Sequence, residues 1–236
     1  MRYLVWFSCG AASACAAKLT AEKYPEAEIL YCDTLAYEHP DNARFMRDVS
    51  AWVGKGIKIL KSEKYTDIFD VFDRTGFLVS PYGARCTTEL KKIPRLNYAN
   101  PDDINVFGLT ADEPQRIKRF EMQNPELRLL WVLRDAGLDK QNCLNMLNAA
   151  GIELPAMYKL GYHNNNCIGC VKGGAGYWNK IRRDFPEAFE RMARQERKMG
   201  RKILDVYLDE LDPNAGRHDA PLVVECGVVC SQPSLL

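Results

Sequence analysis

The chain opens on a short apolar run, Tyr3–Phe7, followed at once by the small residues Ser8, Cys9, Gly10, Ala11, Ala12 and Ser13. An apolar run of that length, closed by turn-type residues, predicts a buried strand. Residues 13–24 are alanine-rich with helical periodicity, and Glu28–Cys32 is a second strand-length run. Within residues 41–53, Phe45, Val49 and Trp52 recur on one face, as in an amphipathic helix. Ile57–Leu60 and residues 104–109 read as a third and a fourth strand. Strands separated by helices of this length predict parallel βαβ units, and so an α/β fold with a doubly wound, mainly parallel sheet. Ligands of such sheets bind at the carboxyl ends of the strands, which singles out the segments beginning at Ser8, Asp33 and Gly108.

After residue 110 the pattern becomes helical. Thr110 and Glu113 have the spacing of a capping box and predict a helix running to about Gln123. Residues 139–150, closed by Gly151, and residues 186–201, opened by Pro186, predict two more. Between these lies a Gly- and Asn-rich stretch, residues 160–177, which contains Cys167-Ile168-Gly169-Cys170. From Asp212 a tail with Pro and Gly carries Cys226 and Cys230. No repeat or linker divides the chain. It reads as one domain, residues 1–236, with an α/β part (1–110) and a helical part (111–236).

Composition narrows the function classes. A net charge of +1 gives no global field that would demand nucleic acid or an acidic membrane as partner. No apolar run approaches the roughly 18 to 20 residues of a membrane span, and the first run is too short for a signal-peptide core. The expectation is a cytoplasmic chain. Nine cysteines, an odd count in a chain of 236 residues, argue against a disulfide framework and for metal ligation or redox chemistry. Cys9, Cys15, Cys32 and Cys143 lie in apolar or helical stretches and read as small buried hydrophobes. Cys86, Cys167, Cys170, Cys226 and Cys230 remain as candidates for chemistry.

The turn after the first strand has the make-up of an anion cradle. Small residues let the backbone approach a ligand, a helix start offers unpaired N–H groups, and Ser8 and Ser13 add hydroxyls. It is no P-loop of the G-x-x-x-x-G-K-[ST] kind, since no Lys follows the glycine. A tight turn made of small residues for packing alone is the competing reading. Ser8, Gly10 and Ser13 nevertheless match the Ser-x-Gly-x-x-Ser of the PP-loop, the phosphate-binding turn of the adenine-nucleotide pyrophosphatases; Cys9, Ala11 and Ala12 depart from it, and its usual acidic residue is missing.

Further motifs, in order along the chain, resemble the phosphoadenosine-phosphosulfate (PAPS) reductase branch of that superfamily. They are Asp33-Thr34 with Glu38-His39-Pro40, then Arg85-Cys86-Thr87-Thr88 with Lys91-Lys92-Ile93-Pro94, then Gly108 with Arg116, and finally Glu225-Cys226-Gly227. The resemblance implies an adenine nucleotide, ATP or an already activated one, bound by Ser8, Gly10, Ser13, Asp33, Lys91, Lys92 and Arg116. It implies Cys226 as the nucleophile that attacks sulfur in a bound sulfonucleotide. It also implies a homo-oligomer, with a thiol or persulfide donor protein as partner.

Four thiolates suit either tetrahedral zinc or a [4Fe–4S] cluster. The related DNA-phosphorothioation enzymes resemble this chain at Cys86-Thr87 and at Cys167-x-x-Cys170, which implies iron–sulfur on Cys86, Cys167, Cys170 and Cys230. The opposite assignment of Cys226 and Cys230, or both as ligands, stays open. So do an ATP-dependent sulfurtransferase acting on nucleic acid or a nucleotide, and a nucleotide-sensing module without catalysis. Residues 172–202 hold ten Lys/Arg against four Asp/Glu. That excess reads as a solvated helical face, or as a surface for nucleic-acid phosphates with Tyr177 and Trp178 stacking on bases.

Overall fold

A computed structural model describes residues 1–217. Strand β1 (Tyr3–Phe7), helix α1 (Ala11–Lys23), β2 (Glu28–Cys32), α2 (Asn42–Val53) and β3 (Ile57–Leu60) follow one another as the pattern requires. Then come α3 (Ile68–Thr75), a two-stranded hairpin of β4 (Val79–Ser80) and β5 (Gly83–Ala84), and a helical segment built from α4 (Arg85–Thr87), a π-helical turn (Thr88–Lys92) and α5 (Ile93–Tyr98). Pro94 lacks the N–H that helical continuation needs, and its ring crowds the carbonyl four residues back. The wider π turn before it relieves that crowding, so the segment stays helical across the proline. The remaining elements are β6 (Ile104–Phe107), α6 (Pro114–Gln123), β7 (Arg128–Leu130), α7 (Val132–Asp135), α8 (Lys140–Ala149), α9 (Ala156–Lys159), α10 (Ala175–Asp184) and α11 (Pro186–Met199).

The sheet has five strands in the order β3-β2-β1-β6-β7, all parallel. This is the parallel α/β architecture expected, with one correction. The fifth strand, β7, comes from the part of the chain expected to be wholly helical. Both faces of β1 are covered, as the unbroken apolar run foretold. Val5 and Phe7 pack with α1, α2 and α8 in one core, and Leu4 and Trp6 pack with Phe107, Ile117, Phe120 and Trp131 in another. Asn105, a polar strand residue fully inside, accepts a bond from the indole Nε1 of Trp6 at 2.9 Å, which satisfies both groups across the β1–β6 pair.

A third core stands apart from the sheet and joins α3, α10 and α11 around Phe72, Trp178 and Phe189. It is tied to the end of β2 by the Ile168 N–H, which donates to the Tyr37 carbonyl at 2.7 Å. Helix α6 begins at Pro114, three residues later than the capping-box spacing suggested. The Glu113 carboxylate instead accepts from the Thr110 N–H and hydroxyl at 2.9 and 2.8 Å and closes the turn before the helix. Among the described residues no helix is long and apolar enough to cross a membrane.

Candidate functional site

The strand order reverses at β1. The chain leaves it toward β2 on one side and returns on the other as β6. The crevice outside the carboxyl ends of two such strands is where parallel sheets hold ligands. Here it is bounded by the turn that follows β1 and by the loop from Gly108 that follows β6.

The first turn is strained and tightly held. Cys9 has φ +57°, a left-handed conformation that costs a non-glycine residue about 1–2 kcal/mol, and its side chain is fully buried. The Ser13 hydroxyl accepts from the N–H groups of Ser8 (3.1 Å) and Gly10 (3.3 Å) and donates to the Gly10 carbonyl (2.9 Å). The Ser8 hydroxyl lies 3.3 Å from it. The Ala11 N–H, first in α1, donates to the phenol of Tyr158 at 3.4 Å. Ser8, Gly10 and Ser13, singled out from sequence, therefore form one hydrogen-bonded knot at the switch point. An oxyanion entering it would meet the same N–H donors that the Ser13 hydroxyl now engages.

Gly108 completes the knot from the β6 side. A Cβ placed on it would lie 2.5 Å from the Ser13 nitrogen and 2.6 Å from the Ser13 Cα, so only glycine lets the two loops pack. Behind the turn runs a buried polar chain. The Asn165 amide donates to the Cys9 carbonyl (2.6 Å) and to Asn42 Oδ1 (2.7 Å); Asn42 donates to Glu38 (2.7 Å), and Glu38 accepts from Thr34 (2.6 Å). Sequence reasoning missed Asn165 and Asn42. Their signal, polar residues on segments otherwise heading inward, is too common to read without the fold.

Lys91 is buried and belongs to this crevice. Its backbone carbonyl accepts from the Cys32 thiol at 3.5 Å, and its charge acts on both Cys9 and Cys32. Burial pushes the Cys32 thiol up to about 11 against the opposing pull of Lys91 and Arg95. The Cys9 thiol is also raised, by burial first and by Glu38 second. Both are protonated at neutral pH, so neither is a ready nucleophile. Lys92, the other half of the basic pair, faces elsewhere and lines a separate cleft beside the hairpin. Asp33 stands at the end of β2, 3.5 Å from Lys61, and Arg116 pairs with Glu113 on the loop after β6.

Cys167 and Cys170 sit in a turn fixed by Tyr177, whose hydroxyl accepts from the Cys170 N–H (2.9 Å) and donates to the Cys167 carbonyl (3.0 Å). Cys86, half-buried, packs against the core that contains Cys170. Among the described residues no three His, Cys, Asp or Glu side chains form a group able to hold a metal ion. Cys230, the fourth expected ligand, and Cys226, the expected nucleophile, lie outside the described residues. The last described segment crosses the first turn of α10. Asn179 donates to the carbonyls of Asp212 (2.9 Å) and Ala215 (2.8 Å); a Cβ on Gly216 would meet the Gly176 backbone, and one on Gly176 would meet the Arg217 carbonyl. Residue 217 thus lies beside the helix whose Tyr177 holds the two cysteines.

One expectation is overturned. Tyr177 and Trp178 are buried, at 3% and 0% exposure, and cannot stack on nucleic-acid bases. At least five of the ten basic residues around them are also engaged internally. Lys180 pairs with Asp184, Arg194 with Glu190, Arg197 with Asp209 and Glu210, and Lys198 with Asp73, while Arg182 donates to the Leu208 and Leu211 carbonyls. His39 accepts from the Asp41 N–H at 3.2 Å.

Fold and site together define a parallel α/β protein with a serine-lined turn at its switch point and a buried lysine beside it. No protein-family model matches the chain, and no curated protein matches it.

Proposed function

We propose that this chain binds an adenine nucleotide in the crevice at the carboxyl ends of β1, β2 and β6 and performs cysteine-based sulfur chemistry on it, in the manner of a PAPS reductase. The observation that carries the reading is the knot of Ser8, Gly10 and Ser13 at the sheet's switch point, backed by the buried Lys91. Phosphate oxygens would take over the N–H donors of the turn, and Lys91 would balance their charge. Asp33, just after β2, and Arg116, in the first turn of α6, complete the nucleotide contacts. Lys92 is left to its own cleft.

In the reductase reaction a thiolate bonds to the sulfonyl sulfur while the S–O bond breaks, and the nucleotide phosphate leaves with that electron pair. Cys226 is the residue assigned to this step. Its activation would come from cations across the crevice, since the neighbouring Glu225 alone would raise its pKa. Zinc or a [4Fe–4S] cluster on Cys86, Cys167, Cys170 and Cys230 belongs to the same proposal. Those four thiolates would hold the group, which would supply electron transfer as iron–sulfur or a structural tie as zinc. The proposal extends to a cytoplasmic homo-oligomer served by a thiol or persulfide donor.

Calorimetric titration of the full chain with ATP and with a sulfonucleotide tests the reading. Binding of either, weakened roughly tenfold or more by Lys91→Ala with the far-ultraviolet spectrum unchanged, is the expected result. No heat from either ligand would reject it.

A further inference from the structure

A small cleft of about 140 Å³ opens where the β4–β5 hairpin meets the start of α4, and Phe77, Tyr82, Arg85, Thr87, Thr88 and Lys92 line it. Tyr82, at the tip of the hairpin, is 90% exposed, and Phe77 is 37% exposed. Arg85 is held by Glu89 at 2.7 Å, whereas Lys92 makes no ion pair among the described residues. No carboxylate lines the cleft. Thr87 is buried, and its hydroxyl has no hydrogen-bond partner among the described residues.

We propose that this cleft binds one nucleotide unit of a single-stranded nucleic acid, with the base against Tyr82 and Phe77 and the phosphate at Lys92. Size points to part of a polymer, because enclosed small-molecule sites run to about 300–1,000 Å³ and this one is well below that. An aromatic ring left in water beside an unpaired cation is the combination that binds single strands without reading sequence. The surface suggested by sequence, residues 172–202, lacks the stacking part, since Tyr177 and Trp178 are buried. A peptide would also suit the rings, but it would need an acidic side chain to answer Lys92. The inference stands apart from the nucleotide reading, because the cleft shares no residue with the Ser8, Gly10, Ser13 and Lys91 crevice.

Fluorescence anisotropy with the full chain and a labelled 12-nucleotide strand, as DNA and as RNA, tests it. Expected are binding that weakens as salt rises, a preference for single strand over duplex, and about tenfold loss on Tyr82→Ala or Lys92→Ala. Tyr82→Phe should retain binding, because the stacking face survives. Tyr82 is exposed, so its variants should melt like the parent protein. Unchanged strand affinity in Tyr82→Ala would overturn the proposal. So would equal competition by an acidic peptide that is itself lost in Tyr82→Ala, which would assign the cleft to a protein partner. A separate ATP titration reads the crevice, so failure there leaves the strand result standing.

Discussion

The Cα of Gly108 rests against the main chain of Ser13, with room for no side chain: a methyl there would lie 2.5 Å from the Ser13 nitrogen. This contact joins the loop after β6 to the turn after β1 and so fixes the mouth of the crevice. Both opposing atoms are backbone, which cannot swing aside as the end of a flexible side chain could. Gly108→Ala should therefore destabilise the protein by about 1–3 kcal/mol, read as a lower urea midpoint, and should weaken nucleotide binding at the same time. An unchanged midpoint would mean that the two loops separate freely.

Acid sensitivity should trace to Asp103. It is buried and accepts from Arg2 Nη2 (2.5 Å) and Nε (3.1 Å) and from the Asn100 N–H (2.8 Å). The Arg2 guanidinium, aided by the Asn100 and Arg2 backbone donors, holds its carboxyl below the usual range against the opposing effect of burial. A depressed carboxyl contributes stability above its unfolded pKa, near 3.9, and that stability is lost as pH falls through the folded value. Asp103→Asn should cost about 1–3 kcal/mol at pH 7, with the gap from the parent closing below about pH 4. Urea melts across that range check it; a gap independent of pH would rule out the charged pair as its source.

Six of the seven described cysteines are buried, Cys167 and Cys170 among them at 8 and 6% exposure, and only Cys86 is half-buried. Cys9, Cys15, Cys32 and Cys143 are core residues, at 0 to 2% exposure, as their apolar surroundings indicated. Metal analysis of protein purified without oxygen should accordingly show iron or zinc unaffected by Cys15→Ser. The same metal should be lost on Cys170→Ser or Cys230→Ser, because a four-thiolate site fails when one ligand is removed. Full metal content in the last two variants would remove the centre from the proposal.

The main strands were legible because each is an apolar run bounded by turn residues, and a strand buried on both faces needs nothing more. β7 was not, since three residues at a sheet edge make no pattern. The helical segment that begins at Arg85 was hidden by Pro94, which reads as a break; the π turn that accommodates it depends on its packing. Lys91 and Lys92, a pair in sequence, point apart because consecutive helical residues lie about 100° from one another around the axis. Ser8, Gly10 and Ser13 were readable from residue size and position after a strand. The approach of Gly108 to Ser13 was not, because it joins loops 95 residues apart (108 − 13).

Gly10 provides the most direct test of the proposed nucleotide site. Its backbone, φ −101° and ψ 158°, is an extended conformation that suits valine, and a Cβ there meets nothing closer than the Tyr158 hydroxyl at 3.6 Å. Gly10→Val should therefore fold normally while placing a branched side chain where phosphate must reach the turn. Calorimetry with ATP should show binding to the parent protein and loss of at least tenfold in the variant, at an unchanged melting temperature. Equal affinity in a normally folded Gly10→Val protein would contradict the assignment of this turn as the phosphate site.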